Sequence, residues 1–254
     1  MIRVTWIGHA TVVLELGGVR VLTDPLLRRH VGALRRVGPA PDPALWANTD
    51  AILVSHLHHD HADLGSLRLL PHAPTLSPGR NQAWLHGKGL ATQAVTQRWT
   101  PVGGDQGEVQ VRTVRAEHHS RPMPHRPNAA SGFLVRAAQA AVWFAGDTSL
   151  YDEMRALPDL AGRPIDLALL PIHGWGPRLS DGHMDPQAAA LACALAQVRA
   201  VLPIHHGTLH PLGFHLAGLE WMHRPREQFA AALRKGAPAT RLVLLDPGES
   251  AQLD

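Results

Sequence analysis

The feature that most limits how this chain can fold is a short apolar run ending in polar ligands: Ala51-Ile52-Leu53-Val54 passes directly into Ser55-His56-Leu57-His58-His59-Asp60-His61. Four consecutive apolar residues read as a strand buried on both faces, whose C-terminal end carries the cluster. In an extended turn after such a strand, alternate residues point two imidazoles the same way, and the next pair opens toward a second position. Nitrogen and carboxylate ligands of this kind suit zinc, manganese or iron. The plain alternative is a histidine-rich surface loop.

Other parts of the chain repeat the pattern of a strand that ends in polar residues. Arg3 to Ile7, Thr11 to Leu16 and Val19 to Thr23 form an antiparallel meander with Gly17-Gly18 as a hairpin turn. Val109 to Val114 alternates, and Phe133 to Val135 pairs with Ala141 to Phe144. Ile165 to Leu170 runs into Pro171-Ile172-His173, Ala200 to Leu202 runs into Pro203-Ile204-His205, and Arg241 to Leu245 reads as the last strand. Between them, Asp185-Pro186 followed by Gln187 to Val198 has an N-cap, a first-turn proline and a helical composition. With no repeat or long linker, the chain reads as one α/β domain over residues 1–254, two sheets sandwiched between helices.

The strand ends supply the ligands that would complete two metal sites: His118 or His119 in Ala116-Glu117-His118-His119-Ser120, Asp147 in Ala145-Gly146-Asp147-Thr148, and His205 or His206 in Ile204-His205-His206-Gly207-Thr208. A carboxylate can bridge two cations through its two oxygens, and among these histidines Asp147 is the aspartate set directly at a strand end. A total of 18 histidines, against one tyrosine and four phenylalanines, also asks for a site.

The order His-x-His-x-Asp-His, then His, then Gly-Asp-Thr, then Pro-Ile-His-x-Gly-Thr resembles the metallo-β-lactamase superfamily over nearly the whole chain. Trp6 to Thr11, Leu22 to Pro25, Ala116 to Arg121 and His183 to Pro186 are similar to the branch of ascorbate-6-phosphate lactonases and N-acyl-phosphatidylethanolamine-hydrolysing phospholipase D. The resemblance implies a four-layer αββα sandwich with His56, His58 and His118 at one metal, Asp60, His61 and His205 at the other, and Asp147 bridging. It selects His118 over His119 and His205 over His206, and it places a functional histidine at His183. Where the branch often has Pro-Ile-Gly, this chain has Pro171-Ile172-His173, so His173 joins His9 as a residue expected at the substrate pocket; a surface position for His173 stays open.

The implied activity is a metal-dependent hydrolase in which two divalent ions, about 3.5–4 Å apart, generate a hydroxide that attacks a small phosphodiester or lactone. Asp60 would orient the water and His183 would protonate the leaving group; without the histidine role, His183 is a loop residue before the Asp185 cap. Two other readings are a metal-dependent nuclease and a metal-stabilised binding protein without catalysis. The net charge of +3 points weakly to nucleic acid, but the basic residues are scattered and the inserted clamp of the superfamily's nucleases is missing. A small anionic or ester-like substrate is therefore expected, and no nucleic acid. Arg28, Arg29, Arg35 and Arg36, the densest basic group, read either as a solvated loop or as a binding site for an anionic small substrate.

Cys193 lies among apolar neighbours and reads as a small core residue, with no internal disulfide to form. The N-terminal segment lacks the apolar core of a signal peptide, and no stretch approaches a membrane span, so a cytoplasmic location without membrane insertion is expected. Leu209 to Met222 is the most apolar late segment and reads as a lid or an interface loop, which leaves a homo-oligomer open.

Overall fold

The computed structural model describes residues 1–103, 108–118, 126–174, 176–213 and 220–254. Its first half lays down β1 (Ile2–Gly8), β2 (Thr11–Leu16) and β3 (Val19–Thr23) as an antiparallel meander, turned by Gly17 and Gly18 at positive φ. A short pair, β4 (His30–Val31) and β5 (Leu34–Arg36), precedes β6 (Ala51–Leu53), α1 (Leu64–Leu67), β7 (Thr75–Pro78), α2 (Gly79–His86) and β8 (Thr92–Val95). The second half begins with β9 (Thr100–Val102), β10 (Val109–Val114), β11 (Gly132–Ala137) and β12 (Ala140–Phe144). It continues through α3 (Leu157–Ala161), β13 (Leu167–Pro171), α4 (Pro186–Leu195), β14 (Ala200–Ile204) and β15 (Leu209–Pro211). It ends with α5 (Arg224–Gly236), β16 (Arg241–Leu242) and β17 (Ser250–Leu253).

Two seven-stranded sheets result, ordered β17-β1-β2-β3-β6-β7-β8 and β16-β14-β13-β12-β11-β10-β9. Side chains alternate across each strand, and the alternation assigns them to layers. Val12, Leu14, Val21 and Leu53 meet Phe133, Val135, Phe144 and Leu169 in a core between the sheets. The opposite face of the second sheet, including Leu134, Trp143, Leu170 and Val201, packs on Ala189 and Cys193 of α4 and on Phe229 and Leu233 of α5. The outer face of the first sheet, with Val13, Leu22, Ile52 and Val54, packs on Leu67 of α1 and Leu85 of α2. Helix, sheet, sheet and helix thus form four layers. Asp185 caps α4 by accepting from the Ala188 amide, and Cys193 is fully buried, which pushes its thiol up to about 12.

Strand direction decides where the site falls. β12, β13 and β14 are parallel, and β10 runs with them because both β10 and β12 pair antiparallel with β11. β1, β3 and β6 share a direction within the first sheet for the same reason. The carboxyl ends of co-directional strands are where such sheets place their ligands.

Three expectations need correction. Arg241 to Leu245 pairs as a strand only at Arg241–Leu242, and the last strand is Ser250–Leu253, which closes the first sheet against β1. The basic group is not a solvated loop throughout: Arg36 is 3% exposed and donates to the Ile7 and Leu26 carbonyls, while Arg28 pairs with Asp63. Leu209 to Met222 begins as an edge strand, since Leu209–Pro211 pairs with Leu34–Arg36 and Leu209 packs among Leu26, Val31 and Leu34. Residues 214–219 of that segment, and His119, lie outside the described residues. Among the described residues, no helix is long and apolar enough to cross a membrane.

Candidate metal centre

Each expected ligand leaves a strand end and turns inward. The loop after β6 carries His56, His58, Asp60 and His61; β10 leads to His118, β12 to Asp147 and β14 to His205. His9, Asp24 and His205 have positive φ values of 55°, 33° and 60°, conformations that non-glycine residues adopt rarely and that concentrate where a site requires them. Gly146 has φ +61°, and a Cβ there would lie 2.7 Å from Ser55 Cβ, so the turn that delivers Asp147 can pass Ser55 only as glycine.

The side chains converge in overlapping groups whose ligand atoms all lie within 4.8 Å of one another: His56, His58, His118 and Asp147; His9, Asp60, His61 and His205; Asp24, His56 and His61; Asp147, His183 and His205. Asp147 Oδ2 stands 3.0 Å from His61 Nε2, 3.3 Å from His205 Nε2 and 3.8 Å from His56 Nε2, at the junction of the first two groups.

Outer hydrogen bonds set the tautomers. Ser55 Oγ donates to Asp24 Oδ2 at 2.6 Å, so it accepts from His56 Nδ1 at 2.9 Å. His61 Nδ1 donates to Asp24 at 2.6 Å, His118 Nδ1 to the Gly182 carbonyl at 2.9 Å and His205 Nδ1 to the His173 carbonyl at 2.9 Å. Four imidazoles are thereby donors on the outside and turn Nε2 inward. A neutral His61 and His205 would aim two lone pairs at each other across 3.0 Å, while His56 Nε2 and Asp147 Oδ1 are buried without a hydrogen-bond partner among the described residues. Bare inward lone pairs beside buried carboxylates are a cation-binding chemistry, and the residues present fit divalent metal ions.

The charge balance agrees. Burial opposes ionisation of Asp60 and Asp147, yet the surrounding imidazoles outweigh it and hold both well below the ordinary carboxylate range. Burial likewise disfavours charge on His61 and His205, but Asp147 leads the groups that raise the first well above its usual value and the second to about 9. Burial dominates at His56, which is pushed well down, and at His118, lowered to about 4. The buried carboxylates of Asp60 and Asp147 beside these imidazoles favour positive charge between them, which a divalent cation supplies.

Residues 19–206 match the beta-lactamase superfamily domain, and a metal-dependent hydrolase of Pyrococcus furiosus is 30% identical over 254 residues, covering 100% of both chains. The chain belongs to the beta-lactamase superfamily. Within it, N-acyl-phosphatidylethanolamine-hydrolyzing phospholipase D 1 of Caenorhabditis elegans is 27% identical over 96% of this chain and 74% of its own. Among solved structures, the metallo hydrolase Igni18 of Ignicoccus hospitalis aligns with a TM-score of 0.74 at 23% identity, covering 98% of this chain and 97% of that one. An isothiocyanate hydrolase from Delia radicum gut bacteria aligns at 0.72 and 15% identity, covering 99% of each chain. The four-layer sandwich expected from the sequence is the metallo-β-lactamase fold of this superfamily.

Against that background the remaining residues fall into place. His9 is 1% exposed and sits 3.0 Å from Asp60 Oδ2, a position that orients Asp60 rather than one open to a substrate. His173 is half-buried, and its carbonyl holds His205 while its ring turns to the Gly174 carbonyl. Asp24, which accepts from His61 Nδ1, is not among the residues expected from the sequence, although Thr23-Asp24 closes β3 as the expected ligands close their strands. Nor are the Gly182 and His173 carbonyls, which carry no side-chain signature.

His206 belongs to none of the metal-capable groups among the described residues; it stacks on Trp6 at 5.1 Å, and burial lowers its pKa to about 3. His206→Ala is therefore expected to keep its metal and to lose about 1–3 kcal/mol of stability from the vacated packing site, whereas His205→Ala loses metal. Metal content and thermal melts of the two purified variants check the ranking.

Proposed function

We propose that the chain is a dinuclear metal-dependent hydrolase acting on a small phosphodiester or lactone. The observation that carries the reading is the shared position of Asp147 between two ligand groups, with Oδ1 unpaired and Oδ2 facing the inward Nε2 atoms. His56, His58 and His118 would hold one ion, Asp60, His61 and His205 the other, and Asp147 both; zinc, manganese and iron suit this mixed nitrogen and carboxylate set. When bound, such ions lower the pKa of a water and polarise a substrate oxygen. Asp60, held by His9, orients that water from the protein side.

His183 supplies the proton. Its Nε2 lies 3.1 Å from Asp147 Oδ2, and Nδ1 meets both the hydroxyl and the carbonyl of Ser180 at 3.0 Å. To give up the Nε2 proton the ring keeps its Nδ1–H, which donates to the Ser180 carbonyl and leaves Nε2 facing the centre. Ser180 thus holds the ring in the tautomer that a proton donor at Nε2 requires.

The test measures metal stoichiometry of protein purified without chelator, together with turnover of bis(p-nitrophenyl) phosphate, a lactone panel and single-stranded RNA. About two ions per chain and turnover of the phosphodiester or a lactone are expected. A fully active metal-free preparation overturns the proposal, and turnover of RNA alone replaces it with a nuclease.

A further inference from the structure

Beside the loop that carries the metal-capable histidines, but lined by none of the proposed ligands, lies a cavity of about 410 Å³ walled by Arg28, Asp63, Arg68, Trp84, Lys88 and Arg126. Its single carboxylate is already engaged: Asp63 accepts both forks of Arg28 at 2.7 and 2.8 Å and also the amide and hydroxyl of Ser66. Gly65 is what admits that pairing, because a Cβ there would overlap the Arg28 guanidinium. Among the described residues Arg68, Lys88 and Arg126 form no direct ion pair, although Asp63 and Asp60 act on Arg126 from a distance.

Arg126 is the least ordinary of the three. It is 4% exposed; its two terminal nitrogens donate to His59 Nδ1 at 2.8 Å and to the Ala62 carbonyl at 2.7 Å, and Nε is buried with no partner among the described residues. Its guanidinium lies over Trp84 at 4.5 Å, and the Lys88 ammonium over the same ring at 5.2 Å. Burial lowers Arg126 only to about 10, so it stays cationic at neutral pH. Asp63 and Asp60 favour that charge from a distance, but neither pairs with it directly, and a buried guanidinium with a bare donor is costly unless a further acceptor completes it.

We propose that this cavity binds a phosphate-bearing ligand, with Arg126 as its buried anchor and Arg68 and Lys88 at its mouth. Three cations without a direct ion-pair partner among the described residues suit a dianionic phosphate better than a single carboxylate, and guanidinium and ammonium groups are its usual partners. The cavity is of a size that takes a small phosphorylated molecule or a lipid phosphate headgroup. The inference goes beyond the hydrolase reading and stands without it.

Calorimetric titration with inorganic phosphate, and sedimentation with phosphatidic acid or phosphatidylcholine vesicles, test it on the purified protein. Arg68→Gln/Lys88→Gln is compared with wild type at fixed salt, and metal content is measured beside each. Loss of the two exposed cations is expected to weaken phosphate binding at least about tenfold with metal content unchanged. Arg126→Lys, which keeps the charge and removes the Nε donor, is expected to weaken it as well. Binding to free phosphate identifies a soluble ligand, and selective binding to phosphatidic acid vesicles identifies a headgroup; either supports the proposal. Absence of binding in both arms, or equal binding by wild type and the double variant, overturns it.

Discussion

Asp147→Asn is expected to strip the protein of metal and to abolish most of its turnover. The substitution preserves side-chain size, so its effect is electrostatic. An asparagine offers one carbonyl oxygen and replaces the other with an NH₂ that has no lone pair to give, so it can serve one cation and not two. The position is unforgiving, because Asp147 Oδ2 faces His61, His205 and His183 within 3.3 Å and the residue is 2% exposed. Loss of its charge also removes the leading contribution that raises His61 and His205. Metal content is expected to fall from about two ions per chain to one or fewer, and kcat by at least on the order of 10²–10³-fold, the range for removing one preorganised electrostatic group. Metal analysis and turnover on the same preparation check it, with circular dichroism to establish that the variant is folded. Two ions retained at undiminished kcat would remove Asp147 from the bridging position.

What the sequence disclosed and what it concealed follow from the same physics. The residues that offer ligand atoms were legible because each follows an apolar strand: Phe144 precedes Asp147 by three residues, and Ile204 precedes His205 directly. Their tautomers were not legible, since these depend on the Gly182 and His173 carbonyls and on Asp24, brought close by the fold from 64, 32 and 37 positions away. Strands buried on both faces, such as Leu167–Pro171, announce themselves by composition, whereas Thr75–Pro78 mixes polar residues and proline, and Ser250–Leu253 is a partly exposed edge defined by pairing with Ile2–Thr5 at the far end of the chain. Helix α5 is a different case. Pro225 in its first turn, Phe229 and Leu233 four apart, and Arg234-Lys235 in its last turn were readable signals that the histidines on either side had overshadowed.

His183→Ala is expected to leave metal content intact and to lower turnover in a manner that depends on the substrate. Its ring is 4.8 Å from His118 and 5.6 Å from His205 and touches Asp147, which puts it at the rim of the centre, with an 11% exposed side chain where the proposed ligands His56, His61 and His205 are essentially closed to solvent. If it delivers a proton to the leaving oxygen, its loss is expected to reduce kcat by about 10²–10⁴-fold for a poor leaving group, the usual contribution of a positioned acid. A p-nitrophenolate leaves without needing that proton, so the same variant should lose much less on an activated ester. Ser180→Ala provides the companion measurement: it withdraws the hydroxyl beside Nδ1 while the backbone carbonyl still accepts from Nδ1–H. Its effect should be smaller and confined to the same poor substrates. An equal loss on both substrates for His183→Ala would instead assign the residue to substrate positioning, and a loss of metal would make it a ligand, the alternative that its grouping with Asp147 and His205 permits.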